Sequence, residues 1–202
     1  LVFSYSVDVA VADEALLLGK FAADRRLQPT PDMRYHFVGQ APAKLASRPI
    51  VVGFGPAGIF AALILAQSGF RPIVLERGKA VRERTQDTWG LWRKKVLDPE
   101  SNVQFGEGGA GTFSDGKLYS QIKDPQHHGR KVLEEFVKAG APEEILYASK
   151  PHIGTFRLVA MVEKMRREIE RLGGEVRFQQ RLTGLTIEQG RLRGVSLASG
   201  EQ

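Results

Sequence analysis

A short β-branched run, Pro49-Ile50-Val51-Val52, enters the turn Gly53-Phe54-Gly55-Pro56-Ala57-Gly58, and Glu76 stands eighteen residues after Gly58. A helix with an apolar face, Ile59 to Ala66, leaves the turn. A second β-branched run, Ile73-Val74-Leu75, ends on the acid. Strand, glycine turn, helix and strand in that order constrain this stretch to a βαβ unit. Gly53 permits the tight turn, Gly55 lets the backbone approach a pyrophosphate, and Gly58 lets helix and strand pack closely. The bare N–H groups at the helix start then face phosphates. A carboxylate at Glu76 accepts ribose hydroxyls. An acid there, rather than an arginine, disfavours a 2′-phosphate, so the adenosine half belongs to FAD or NAD rather than NADP.

The chain has 202 residues, room for one domain and a small addition. Hydrophobic residues make up 42%, enough to build a core. The longest apolar stretch, around Ile59 to Ala66, is too short to span a bilayer. The chain begins at Leu1 rather than Met, which suggests an excised region, and its start carries no secretory pattern. There is no cysteine, which fits a reducing compartment and a cytoplasmic location. It also excludes a redox disulfide, a thiolate nucleophile and a cysteine-ligated metal from this chain. The net charge is +6, but the basic residues are interspersed with acids, as in Arg82-Glu83-Arg84. No nucleic-acid-binding signature accompanies them. A solvated surface that attracts an anionic cofactor is the better reading.

Residues 1–47 read as a small α+β unit with a linker. Phe3 to Val11 alternates as a strand does, Asp13 is placed to cap a helix over Glu14 to Arg25, and Tyr35 to Val38 resembles a short strand. Beyond the βαβ unit, residues 79–97 read as a helix with Val81, Trp89, Trp92 and Val96 inward. Residues 101–128 read as a long loop, and Arg130 to Lys138 as a helix. A longer helix follows from Thr155, its expected cap, to Leu172, with Leu158, Val162, Met165, Ile169 and Leu172 inward and Gly173-Gly174 as its stop. Glu175 to Phe178 is a strand. A hairpin then pairs Leu185 and Ile187 with Leu192, Val195 and Leu197 around Glu188-Gln189-Gly190-Arg191.

The second informative feature is the run from Gln104 to Leu118, with five glycines between positions 106 and 116. Such a backbone can approach a flat ligand and offer N–H groups without side-chain obstruction. Thr112 and Ser114 add hydroxyls and Lys117 a cation, while Phe105 and Phe113 argue against a purely solvated loop.

Arg48 to Gly58, with Val74-Leu75-Glu76-Arg77-Gly78, resembles the FAD-binding domain of the two-dinucleotide-binding-domain flavoproteins. Asn102 to Leu118, Pro151-His152-Ile153-Gly154-Thr155 and Gly173-Gly174-Glu175 are similar to a bacterial family of FAD-dependent dehydrogenases with a small N-terminal domain. The resemblance implies an α/β fold: a Rossmann-like FAD-binding domain over 48–202, with a mostly parallel five-stranded sheet, after the 1–47 unit. It implies that Gly53, Gly55, Pro56, Ala57 and Gly58 hold the pyrophosphate and that Glu76 holds the ribose. Arg77 would lie beside adenine or ribose, and Arg84 would reach toward the phosphates or the flavin. Gly109, Ala110, Gly111 and Thr112 would run past the ribityl chain and ring, and the Leu182 backbone would meet the adenine edge. Family members carry an Ala-Thr-Gly strand and a late Gly-Asp segment that this sequence does not reach, so a partial flavin site is expected.

The implied activity is an FAD-dependent oxidoreductase, a dehydrogenase passing hydride between a reductant, NAD(P)H being one candidate, and a small organic substrate. Two other readings remain open: a flavin-dependent nucleic-acid-modifying or regulatory protein, and an NAD-dependent dehydrogenase on the same unit. No side chain stands out as a catalytic acid or base. His152 reads as structural, and His127-His128 lacks a third ligand for a metal. Glu107 and Asp115 read as loop-capping carboxylates in preference to groups that tune the flavin. Lys117 is placed to compensate a reduced, anionic flavin.

Overall fold

The computed structural model describes residues 4–201. The chain divides into two compact units, Leu1–Arg34 and Tyr35–Gln202. The first unit contains helix α1 (Glu14–Lys20), capped as expected by Asp13, whose Oδ1 accepts from the Leu16 N–H at 2.9 Å. The helix ends at Lys20, short of Arg25. The alternating segment forms no strand over residues 4–11, and Phe3 lies outside the described residues. Alternation makes a strand only where a neighbour supplies the ladder, and none is present among the described residues of this unit. Tyr35–Val38, in the second unit, is likewise not a strand. There the Tyr35 and Phe37 rings meet edge to face at 5.0 Å and lie under the Lys131 ammonium.

The second unit is mixed α/β. Strands β1 (Ile50–Val52), β2 (Ile73–Leu75) and β3 (Glu175–Arg177) form a parallel sheet in the order β1-β2-β3. Val51, Val74 and Val176 stand in one row across it. That row joins the main core with helices α2 (Pro56–Gln67), α4 (His128–Lys138) and α5 (Thr155–Arg171), where Phe54, Leu63, Ile169 and Met165 are buried. Strands β4 (Leu182–Glu188) and β5 (Arg191–Leu197) form a separate antiparallel hairpin. Leu75 and Ile73, the alternate residues of β2, pack with Leu182, Val195 and Leu197 of that hairpin. Period-two alternation thus sends one row of β2 to the helices and the other to the hairpin, and the central strand is covered on both faces. Three parallel strands are present among the described residues, against the five that the resemblance implied.

Local chemistry accounts for the ends of most elements. Gln189 and Gly190 both have positive φ, 51° and 72°, which makes the two-residue hairpin turn the sequence predicts. Gly173 and Gly174 stop α5 by donating back to Glu170 and Ile169 at 2.9 Å. The α5 cap differs from expectation. Gly154 occupies that position without a side-chain bond, and Thr155 is already helical.

Helix α3 (Val81–Lys94) buries Val81 of its predicted face but not the two tryptophans. Trp89 and Trp92 are 45% and 53% exposed, whereas Val81, Arg84 and Thr88 are buried. The glycine-rich loop beside α3 offers mainly carbonyls, along with the Phe113 ring that Trp92 meets edge to face at 6.0 Å. The arginine therefore turns inward and the tryptophans outward, where Arg93 stacks on Trp89 at 4.1 Å.

Gly58 sits where α2 crosses β1, and a Cβ there would overlap the Gly53 carbonyl. Neither side of that contact is a flexible side chain. Gly58→Ala is expected to destabilise the fold by about 1–3 kcal/mol through overpacking, read as a lowered midpoint in thermal unfolding.

Candidate nucleotide-binding site

The β1–α2 turn is held by its neighbours before any ligand is considered. Gly53 donates its N–H to the Leu75 carbonyl at 2.8 Å, and the Phe54 side chain is fully buried beneath the turn. Gly55 is the cap residue of α2, no side chain caps that terminus, and Pro56 occupies its first turn. The first-turn N–H groups at Ala57 and Gly58 therefore face outward with the positive end of the helix dipole.

Glu76 is 4% exposed at the end of β2. Its Oε2 accepts from the Phe54 N–H at 2.7 Å, and its Oε1 accepts from Gly78 and Gly106 at 2.8 and 3.0 Å. One carboxylate thus joins the cradle turn, its own strand end and the glycine-rich loop. The approach depends on the absence of a side chain at Gly78, where a Cβ would lie 2.5 Å from the Gly106 Cα. The loop then crosses the cradle, with the Gly108 N–H donating to the Phe54 carbonyl at 2.8 Å.

Arg84 and Glu107 hold the loop from beneath. Arg84 is fully buried and donates to the carbonyls of Asn102, Glu107 and Val103 at 2.7, 2.7 and 2.5 Å. Burial pulls its pKa down to about 10, against the opposing attraction of Glu76 and Glu107, and it stays charged at neutral pH. The resemblance implies an Arg84 that reaches toward the phosphates or the flavin; here three of its five N–H donors go to the loop's own backbone, and Arg84 does not line the cavity described below. The loop's carbonyls, unsatisfied by any regular element, supply the reason. Glu107, also fully buried, accepts from the Val81 N–H at 2.7 Å and from Arg166 Nε at 2.8 Å. It thus binds the first N–H of α3 across the interior, rather than capping its own loop as its position suggested. Burial pushes its pKa up, while the Val81 N–H and Arg166 pull it down.

A cavity of about 380 Å³ opens over this framework. Gly53, Gly55, Glu76, Arg77, Gly109 and Leu182 line it, all of them singled out from the sequence. Gln104, Phe105 and Gln180 line it as well. The sequence reading missed these three, although Gln104 and Phe105 lie in the loop it singled out. Arg77 stacks on the Phe105 ring at 3.9 Å and pairs with Glu100 at 2.8 Å. The remaining predicted residues fall elsewhere. Ala110 is exposed on a 3-10 turn (Ala110–Phe113). Pro56, Gly111 and Thr112 border a second, apolar cavity of about 250 Å³ between the loop and α5, where Thr112 is buried and turned toward the Glu107 carbonyl. Lys117 borders that second cavity too, paired with Asp115 at 3.1 Å. His152 is exposed, its backbone bridged to Lys117. Among the described residues no helix is long and apolar enough to cross a membrane.

No family model matches the chain. A protein of Clostridium beijerinckii described as uncharacterized is 47% identical over 192 residues, which cover 95% of this chain and 36% of that protein. The chain thus spans little more than a third of that relative. Among solved structures, it is similar to a 3-ketosteroid-Δ4-(5α)-dehydrogenase from Rhodococcus jostii RHA1, at 14% identity and a TM-score of 0.47 over 81% of this chain and 45% of that one. It is also similar to an L-amino acid deaminase from Proteus myxofaciens, at 15% identity and a TM-score of 0.44 over 83% and 46%.

Arg84→Met removes a donor from three loop carbonyls, of which that of Glu107 keeps the Thr112 hydroxyl. It is expected to cost about 3 kcal/mol or more in denaturant unfolding and to expose residues 101–116 to limited proteolysis. Glu107 makes stability depend on pH. Its folded pKa lies above the ordinary value of 4.5, so its contribution to stability is fully present below that value and is lost as pH rises through the folded one. Glu107→Gln removes the titration. The stability of the wild type relative to this variant should therefore fall as pH rises through that window, as denaturant unfolding in a pH series would show.

Proposed function

We propose that the chain binds the adenosine–pyrophosphate half of FAD and forms part of an FAD-dependent oxidoreductase. The observation that carries this reading is the cavity over the β1–α2 turn. It gathers the two cradle glycines, the acid at the end of β2, Arg77, Gly109 and Leu182, residues that lie far apart in the sequence. The residues fit the group chemically. Uncapped N–H groups at the α2 start suit a diphosphate, the Glu76 carboxylate suits ribose hydroxyls, and the Arg77–Phe105 stack offers a flat, cationic surface to a base. The glycine loop, crossing directly over the turn, supports FAD ahead of NAD, because it extends the bare backbone beyond the pyrophosphate.

Bound FAD supplies the two-electron hydride chemistry, with NAD(P)H as a candidate reductant and a small organic molecule as substrate. The residues present supply position and charge. The α2 terminus stabilises the diphosphate, Glu76 orients the ribose, and the Arg84–Glu107 framework keeps the loop backbone in place.

Gly55 separates this role from a structural one. Its φ is −77°, which any residue adopts, and a Cβ there would lie an ordinary 3.7 Å from the Gly109 Cα. Gly55→Ala should fold with the wild-type melting temperature yet bind FAD and ADP at least about tenfold more weakly, because its methyl enters the cavity. Isothermal titration with both ligands, together with the flavin absorbance of the purified full-length protein, checks this. Equal affinity of the two proteins, or no nucleotide binding by the wild type, would overturn the proposal.

A further inference from the structure

Two arginines line the candidate nucleotide cavity: Arg77, just past the end of β2, and Arg181, just before β4. Both also line an adjoining polar cavity of about 290 Å³, and there they converge on Glu100. Arg77 Nε and Nη2 both stand 2.8 Å from Glu100 Oε2, and Arg181 Nη1 donates to Oε1 at 3.2 Å. Each carboxylate oxygen is thus held by a different arginine. The turn that carries Glu100 is itself fixed. Asp98 Oδ1 accepts from the Glu100 and Ser101 N–H groups at 2.9 and 3.2 Å, and Ser101 Oγ donates to Asp87 Oδ2 at 2.6 Å. Two guanidiniums meeting on one anion have the chemistry of a phosphate subsite. Here the chain's own carboxylate fills it.

We infer that Glu100 is a specificity-determining residue: it occupies the two-arginine subsite beside the nucleotide cavity and so excludes nucleotides that carry a phosphate on the adenosine ribose. This rests on the reading of the cavity as a nucleotide site and adds to it which nucleotides are refused. An arginine close to the ribose is what accommodates a ribose phosphate in dinucleotide sites, so with two arginines in the lining the acid at Glu76 does not by itself account for refusal. A ribose phosphate must either displace Glu100 from both arginines or lie beside its negative charge. Displacement is unfavourable because Glu100 is tethered: it gives up no translational freedom, and its effective concentration is on the order of millimolar or above. Lying beside it is unfavourable because like charges repel. A neutral side chain at position 100 leaves the same arginines open to the phosphate.

The test is isothermal titration of the full chain with ADP and with ADP carrying a further phosphate on the 2′- or on the 3′-hydroxyl. The wild type should bind ADP at least about tenfold more tightly than either ester. In Glu100→Gln, and alike in Glu100→Ala, the affinity for one ester relative to ADP should rise about tenfold or more, and the ester that gains identifies the hydroxyl that faces the arginines. The gain should shrink as salt is raised and vanish when Arg181→Met is added to Glu100→Gln. Both ion pairs are partly exposed, so the variants should melt close to the wild-type temperature. A merely structural Glu100 would instead shift ADP and both esters in parallel and leave their ratios intact, and that result would overturn the inference. So would a wild type that binds either ester as tightly as ADP. Failure of the wild type to bind ADP at all would remove the nucleotide reading of the cavity, and the inference with it.

Discussion

The site rests on one buried carboxylate. Glu76 accepts three backbone N–H bonds from three segments that are distant in sequence: the cradle turn at Phe54, the strand end at Gly78 and the glycine-rich loop at Gly106. Hydrogen bonds to an ionised group are stronger than neutral ones, and in a dry interior they set geometry as well as energy. A carboxylate has about four acceptor positions, of which these bonds use three. The capacity left over is what a ribose hydroxyl would need. The same side chain can therefore assemble the site and take part in it, which ties ligand affinity to the order of the three segments.

The glycine loop needs that anchor because it has few of its own. A segment with five glycines between 106 and 116 loses much backbone entropy on ordering and has few side chains to bury in exchange. The interior supplies charged partners. Arg84 fills the carbonyls of residues 102, 103 and 107, and Glu107 ties the loop to α3 and, through Arg166, to α5. A buried arginine and a buried glutamate are costly apart. Here each finds hydrogen-bond partners in the loop or in the helices around it.

Much of this was legible in the residues, and the misses share a cause. The βαβ unit, the glycine stop of α5 and the hairpin turn are local. Each follows from the conformational range of glycine or from period-two alternation in a short run. Helix α3 was legible as a helix, and Val81 as inward, but the exposure of its tryptophans was not. Val81, Trp89, Trp92 and Val96 make a plausible apolar stripe, yet the surface that α3 meets is a loop rich in carbonyls, and the matching face is the one that carries Arg84. The alternating residues 5–11 carry a strand pattern, but a ladder requires a neighbour, and no sequence pattern supplies one.

By itself the sequence determined the cradle: which glycines must lack a side chain, where the helix begins and which acid ends the second strand, because these follow from sterics within about thirty residues. Only the tertiary structure decided how the distant pieces share the work. It brought Leu182 and Gln180 to the cavity that Glu76 lines, buried Arg84 against the loop's carbonyls, and turned Thr112 inward. Those outcomes depend on which carbonyls and donors are left unsatisfied once the chain has packed. Hydrogen-bond satisfaction in a dry interior is a property of the whole arrangement, and no local run of residues encodes it.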